Sequence, residues 1–168
     1  MKIKSSLISG SGQKVDIVYY EDENPNENLE NKILQGVHGI CFCGDKLVIV
    51  YSDIKGYWTL PGGGIEPGET YEEATVREIK EESNMKVLHQ ELIGFQDIYE
   101  SGRIVRQTRS FCIVEPYGDF VSDPDGDITE IKLIDPKDLK QYIDWKEIGD
   151  RIIERGLNIL NSYNERFR

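Results

Sequence analysis

Three glutamates, Glu78, Glu81 and Glu82, stand at i, i+3 and i+4 in the run Arg77-Glu78-Ile79-Lys80-Glu81-Glu82-Ser83-Asn84-Met85. On a helix these positions are neighbours on one face, and like charges so placed destabilise an empty helix by a few tenths of a kcal/mol per pair. A purely structural role does not ask for that arrangement. A hard divalent cation does, because Mg²⁺ and its relatives are held by carboxylate and carbonyl oxygens and by water. Just upstream, Gly63-Gly64-Ile65-Glu66-Pro67-Gly68-Glu69-Thr70 reads as a glycine-rich loop turning into the acidic helix.

The helix has clear punctuation. Thr70-Tyr71-Glu72-Glu73 fits a capping box with Thr70 at the N-cap and Glu73 at N3. At about 100° per residue, Val76 and Ile79 share a stripe expected to face the core. Ala74, Glu78, Glu81 and Glu82 fall on a separate arc, with Arg77 beside it as a partner for a carboxylate. Asn84 tolerates the left-handed conformation and is expected to end the helix.

The rest of the chain supplies strands. Lys14 to Tyr20 reads as one, and Glu21 to Glu30 as a polar, acidic, mobile loop: a solvated connector, with a substrate lid as the sharper alternative. Val37 to Cys43 and Lys46 to Tyr51, separated by Gly44-Asp45, read as a hairpin. His38 in its first strand is expected to be a satisfied core or edge residue rather than a base. Val87 to Tyr99, with a bend at Gly94, and Ile104 to Val114 form another strand pair. The second carries Arg106 and Arg109; either is a candidate phosphate contact, against the commoner fate of an exposed strand charge. Asp123-Pro124-Asp125-Gly126-Asp127 resembles a calcium loop only at first sight. The sixth and twelfth positions are Ile128 and Ile134 rather than Gly and Glu, so a tight turn is preferred. A strand over Ile128 to Ile134, a short helix over Pro136 to Tyr142 and a last helix with Ile148, Ile152, Gly156 and Ile159 on one stripe complete the reading.

The 168 residues suit a single domain, and a formal net charge of −11 argues against a nucleic-acid polymer as partner. A small phosphorylated substrate escorted by a cation fits that acidity. No 18-residue apolar run and no apolar leader is seen, so no membrane and a cytoplasmic location are expected. Cys41, Cys43 and Cys112 lack zinc-ligand spacing and read as reduced, buried thiols.

The spacing Gly63, five residues, Glu69, seven residues, Arg77-Glu78-Ile79, one residue, Glu81-Glu82, then Asn84-Met85 resembles the Nudix box, G-x5-E-x7-R-E-U-x-E-E-x-G-U, where U is bulky and apolar. Only the final Gly differs, being Asn84, the next residue most tolerant of positive φ. Trp58-Thr59-Leu60-Pro61-Gly62 and Glu66-Pro67-Gly68 also look like the family. The resemblance implies an α/β fold, a Nudix-type α/β/α sandwich with a mixed central β-sheet, over a core of residues 35–160. Residues 1–34 are expected to add a strand and an acidic loop within one domain spanning 1–168.

The same resemblance implies hydrolysis of a diphosphate linkage in a nucleoside diphosphate derivative (a nucleotide sugar, ADP-ribose or a nucleoside triphosphate), with Mg²⁺ or Mn²⁺. Glu78 and Glu82 would be the principal metal ligands, and Glu81 a further ligand or the water-activating base. The Gly63 carbonyl would complete the coordination, and a Glu69–Arg77 salt bridge would orient the loop. Glu130 is the candidate for an additional acid, with an exposed strand glutamate as its alternative. Tyr51, Tyr57, Trp58, Phe95 and Tyr99 are candidates to stack on a base or merely to pack. A homodimer fits the family. The competing readings are a non-catalytic Nudix-fold binding or regulatory module, which would be expected to lose box carboxylates, and removal of the RNA cap, weakened by the acidic charge.

Overall fold

A computed structural model describes residues 1–9, 11–121, 123–124 and 126–167. Among these, nine strands and two α-helices follow one another as β1 (Lys2–Ile8), β2 (Lys14–Glu21), β3 (Lys32–Cys43), β4 (Lys46–Ser52), β5 (Tyr57–Thr59), β6 (Gly62–Gly64), α1 (Tyr71–Ser83), β7 (Met85–Glu100), β8 (Arg103–Pro116), β9 (Ile128–Ile134) and α2 (Lys146–Arg166). A 3-10 turn over Pro136–Gln141 precedes α2. The strands join in the order β1-β2-β7-β8-β3-β4-β5, with β6 added to β3 and β9 to β4. Among the described strand pairs only β3–β8 is parallel, which makes the sheet mixed. The α/β expectation holds. β1, unread in the sequence, pairs with β2 along its whole length, and β2 pairs in turn with β7.

The two helices cover opposite faces. On the α2 side, Ile148, Ile152, Ile159 and Leu160 bury against Ile40, Phe42, Ile93 and Phe111. On the α1 side, Ile79 packs with Cys41, Val48, Met85, Cys112 and Val114. The cysteines are free. The stripe expected on α1 needs correction: Val76 is 40% exposed, and the buried side consists of Ala74, Thr75, Glu78, Ile79 and Ser83. The cause lies opposite. β6 is three glycines, so the sheet there has no side chains and leaves room for the acidic arc itself.

Arg106 and Arg109 of β8 are not exposed either. Arg106 is 1% exposed, and its guanidinium is fully used inside the protein. It lies 2.8 Å from Asp97, stacks over Phe95 at 3.9 Å and donates to the carbonyls of Pro25, Glu27 and Asn28. It therefore pins the acidic loop to the sheet, and the expectation that it contacts phosphate is corrected: it has no donor left for a ligand to reach. Lys32 adds a second ion pair to Asp97 at 2.9 Å. Removing one partner of a buried pair strands the other charge. Arg106→Met is therefore expected to lower unfolding stability by about 3–5 kcal/mol in urea titrations.

No helix among the described residues is long and apolar enough to cross a membrane.

Candidate active site

The capping box forms as the spacing predicts: the Glu73 N–H donates to Thr70 Oγ1 and the Thr70 N–H to Glu73 Oε1, each at 3.1 Å. Asn84 ends α1 at φ 53°, the left-handed conformation that the missing glycine would have adopted. Helix α1 thus starts and stops where local chemistry dictates.

Arg77 is the hub of the site. Its Nε and Nη2 clamp both oxygens of Glu69 at 2.7 and 2.8 Å, and Nη2 also reaches the Gly64 carbonyl at 2.8 Å. This bidentate pair holds the Glu69 carboxyl down to about 2 and locks the loop to the helix. Nη1 donates to Glu78 at 2.9 Å and to Glu81 at 3.3 Å. Arg77 thus orients two of the acids as well as the loop.

The two inward acids rest against the glycine strand in different ways. A Cβ added to Gly63 would lie 2.4 Å from the Glu78 carboxyl carbon. Glu78 thus occupies the place where any larger residue would have a side chain. The Gly62 N–H donates to Glu82 at 2.8 Å. Glu82 is pushed up to about 8, chiefly by burial, with the charges of Glu78, Asp123 and Asp127 adding to the rise and the Gly62 bond opposing it. Glu81 is half-buried beside Arg77. Among the described residues no three ligand-type side chains converge on one point, so a cation would have to draw the carboxylates together.

The donor set fits a hard cation nonetheless: carboxylate oxygens, a glycine backbone, and no soft ligand in the cleft. That cleft, of about 280 Å³, is lined by Gly62, Gly63, Gly64, Glu82, Ser52 and Asp127 among others. Asp127 is the acid that sequence reasoning missed. It accepts from Ser52 Oγ at 2.7 Å and lines the same cleft as Glu82, whose pKa its charge helps to raise. Glu130 is exposed, stands opposite Tyr51 in the β4–β9 ladder and lies outside the cleft lining. The register shifts between Tyr51 and Ser52, so the mouth of β9, not its body, presents an acid to the site. The expectation for Glu130 is corrected accordingly. The turn reading of the preceding segment agrees with the Gly126 N–H donating to the Asp123 carbonyl at 2.8 Å; Asp125 lies outside the described residues.

A second cavity, of about 440 Å³, adjoins the cleft on the α2 side of the sheet. His38, Lys55, Thr59 and Gln107 line both. Its walls include Tyr57, Trp58, Tyr142 and Trp145, whereas Tyr51, Phe95 and Tyr99 do not line it. Arg109 lies at its floor, 2% exposed, with its guanidinium 5.2 Å from the Trp145 ring centre. It donates to the Thr108 carbonyl and to Gln107 Oε1, and Nε has no acceptor among the described residues. Burial pulls Arg109 down to about 9. His38 stands opposite Arg109 in the β3–β8 ladder, and its buried Nδ1 also has no hydrogen-bond partner among the described residues. It is not the satisfied core residue expected from the sequence.

A family model for the NUDIX domain matches residues 34–156. Among curated proteins, the chain is 31% identical over 99 residues to the nucleoside triphosphatase NudI of Salmonella heidelberg, covering 48% of this chain and 70% of that protein. It is 43% identical over 61 residues to the ADP-ribose pyrophosphatase of Methanocaldococcus jannaschii, covering 34% and 36%. The chain spans about half or less of the length of most curated relatives it matches. Among solved structures, a mutant form of the pyrophosphohydrolase BsRppH of Bacillus subtilis aligns with a TM-score of 0.69 at 18% identity, covering 90% of this chain and 94% of that one. At that identity the likeness is one of fold.

Proposed function

Because the chain belongs to the NUDIX domain family, we propose that it hydrolyses a diphosphate linkage in a small nucleoside diphosphate derivative, with Mg²⁺ or Mn²⁺ bound at the cradle. The observation that carries this is the seating of Glu78 against Gly63 and of Glu82 on the Gly62 N–H, beside a cleft that opens into an aromatic-walled cavity. A bound divalent ion supplies charge neutralisation for the diphosphate and lowers the pKa of a coordinated water. Glu78 and Glu82 would hold it, with the Gly63 carbonyl and Glu81 in support. Arg77 keeps Glu78 and Glu81 from splaying apart. The proton of the attacking water falls to an acid outside the principal pair: Glu81, or Asp127 across the cleft. The cavity beyond holds the nucleoside, and the protein acts in the cytoplasm on small nucleotides rather than on polymers. All three box carboxylates are present, which disfavours a purely binding role.

Phosphate release with Mg²⁺ over nucleotide sugars, ADP-ribose and nucleoside triphosphates tests the reading. Turnover of at least one, abolished by chelation, is expected. No turnover of any, with Mg²⁺ binding unchanged in Glu82→Gln, would sink it. Glu81→Gln and Asp127→Asn separate the two proton acceptors: the true base loses about 10²–10⁴-fold in kcat, and the other variant stays within about tenfold of wild type.

A further inference from the structure

The floor of the cavity beside the cleft carries two buried polar atoms that find no partner among the described residues. Arg109 and His38 are ladder partners on the same strand pair, and Arg109 Nε and His38 Nδ1 are buried without partners. Polar atoms left in that state cost stability, so a ligand that satisfies them is favoured by their pairing. Arg109 can only donate. Two of its five N–H donors are engaged by the Thr108 carbonyl and Gln107 Oε1, which leaves Nε–H and a neighbouring Nη–H as one open two-donor edge. Part of its charge is met by the face of Trp145, which lessens the need for a full counter-anion. The walls contributed by Trp58, Tyr142 and Trp145 are aromatic and suit a flat ring.

From this arrangement we infer that the cavity selects oxopurine bases, the Arg109 edge meeting the O6/N7 acceptors of a guanine- or hypoxanthine-type ring. An adenine presents an N6 amino donor where the oxopurine presents O6, and a donor facing the guanidinium is repelled. This inference rests on the assignment of the cleft as a diphosphate-hydrolysing site only for where the base lies; recognition of the base itself needs no turnover.

The test therefore begins with binding. Calorimetric titration of the full chain with GMP, IMP and AMP, without metal, is expected to show GMP and IMP binding about 10–100-fold more tightly than AMP, the range for one good arginine–purine contact. IMP, which has O6 but no 2-amino group, isolates the O6 edge. Arg109→Gln is expected to erase the difference, with thermal melting confirming that the variant folds. Should it fail to fold, His38→Gln, which keeps a polar side chain at the floor, is expected to reduce the preference in its place. Equal affinity for GMP and AMP, or a preference that survives both substitutions, overturns the inference. Equal weakening of all three nucleotides in Arg109→Gln also overturns it, because that result assigns Arg109 to the phosphate. If guanine-selective binding is found but no hydrolysis occurs with any nucleotide, the base selection stands and the catalytic reading falls.

Discussion

Replacing Glu82 by Gln is expected to lower kcat/KM on the best substrate by about 10³-fold, the scale for losing a principal group that stabilises transition-state charge, while making the metal-free protein more stable at alkaline pH. The two effects share one cause. Glu82 is held in a half-buried position among Glu78, Asp123 and Asp127 and is raised from 4.5 to about 8. The folded chain therefore keeps a proton that the unfolded chain has released across that interval. The contribution of Glu82 to stability therefore falls as pH rises from about 4.5 to about 8, opposed in the lower part of that interval by His38, which burial keeps neutral in the folded chain. In chelator, the wild-type melting temperature should be lower at pH 8 than at pH 6, by a few degrees at the roughly 2–4 °C per kcal/mol of a chain this size. Glutamine has no proton to lose, so the variant's curve should be flatter over the same range and lie above wild type at pH 8. Mg²⁺ should stabilise the wild type more at pH 8 than at pH 6, because it must displace that proton to bind, and should do little for the variant. Scanning calorimetry at the two pH values, with and without Mg²⁺, reads all four arms. A pH-independent wild-type melting temperature in chelator would contradict the assigned environment of Glu82.

Gly63→Ala should abolish most activity while sparing the fold, and Gly62→Ala should do the reverse in order of severity. At Gly63 the added methyl group meets the Glu78 carboxyl group, at 2.4 Å from its carbon and 2.5–2.6 Å from its oxygens. Those atoms end a flexible side chain, so Glu78 can swing away at modest cost in stability. What it cannot do is stay in the cradle. A loss of 10²–10³-fold in kcat/KM, on the order expected for misplacing a charge-stabilising group, should accompany a melting temperature within a few degrees of wild type. At Gly62 the methyl group would lie 2.1 Å from the Val37 carbonyl and 2.9 Å from the His38 Cα. Backbone atoms in a paired strand have nowhere to go, so this variant should be strongly destabilised. If Gly63→Ala retains wild-type turnover, Glu78 is not a metal ligand in its observed position. Titrating the metal requirement gives the same answer independently: the concentration of Mg²⁺ giving half-maximal rate should rise sharply in Gly63→Ala.

Much of the box helix was legible from residue order. The capping box at Thr70, the left-handed Asn84, the bidentate Glu69–Arg77 pair and the grouping of Glu78, Glu81 and Glu82 are all set by contacts within one short stretch, Glu69 being the farthest at eight residues from Arg77. Helix geometry alone brings such residues together, so spacing is sufficient information. The side of α1 that enters the core was not legible from α1. The absence of side chains on β6 turns Glu78 inward and leaves Val76 outside, and that is a property of the facing strand.

Long-range pairing decided the rest. Arg106 and Arg109 are three residues apart on β8, and nothing in their order says that one meets Asp97 and the 25–28 carbonyls while the other bonds only its neighbours Thr108 and Gln107, among the described residues, under Trp145. The choice between Asp127 and Glu130 turned on a register shift against β4, about 75 residues away. By itself the sequence determined the local chemistry of the acidic helix and the grouping of its three carboxylates, because those follow from i, i+3 and i+4 geometry. Only the tertiary structure decided which acids face one another, which arginine is spent on the fold and which cavity lies beside the cradle. Those outcomes depend on strand register and on what each face of the sheet finds opposite it.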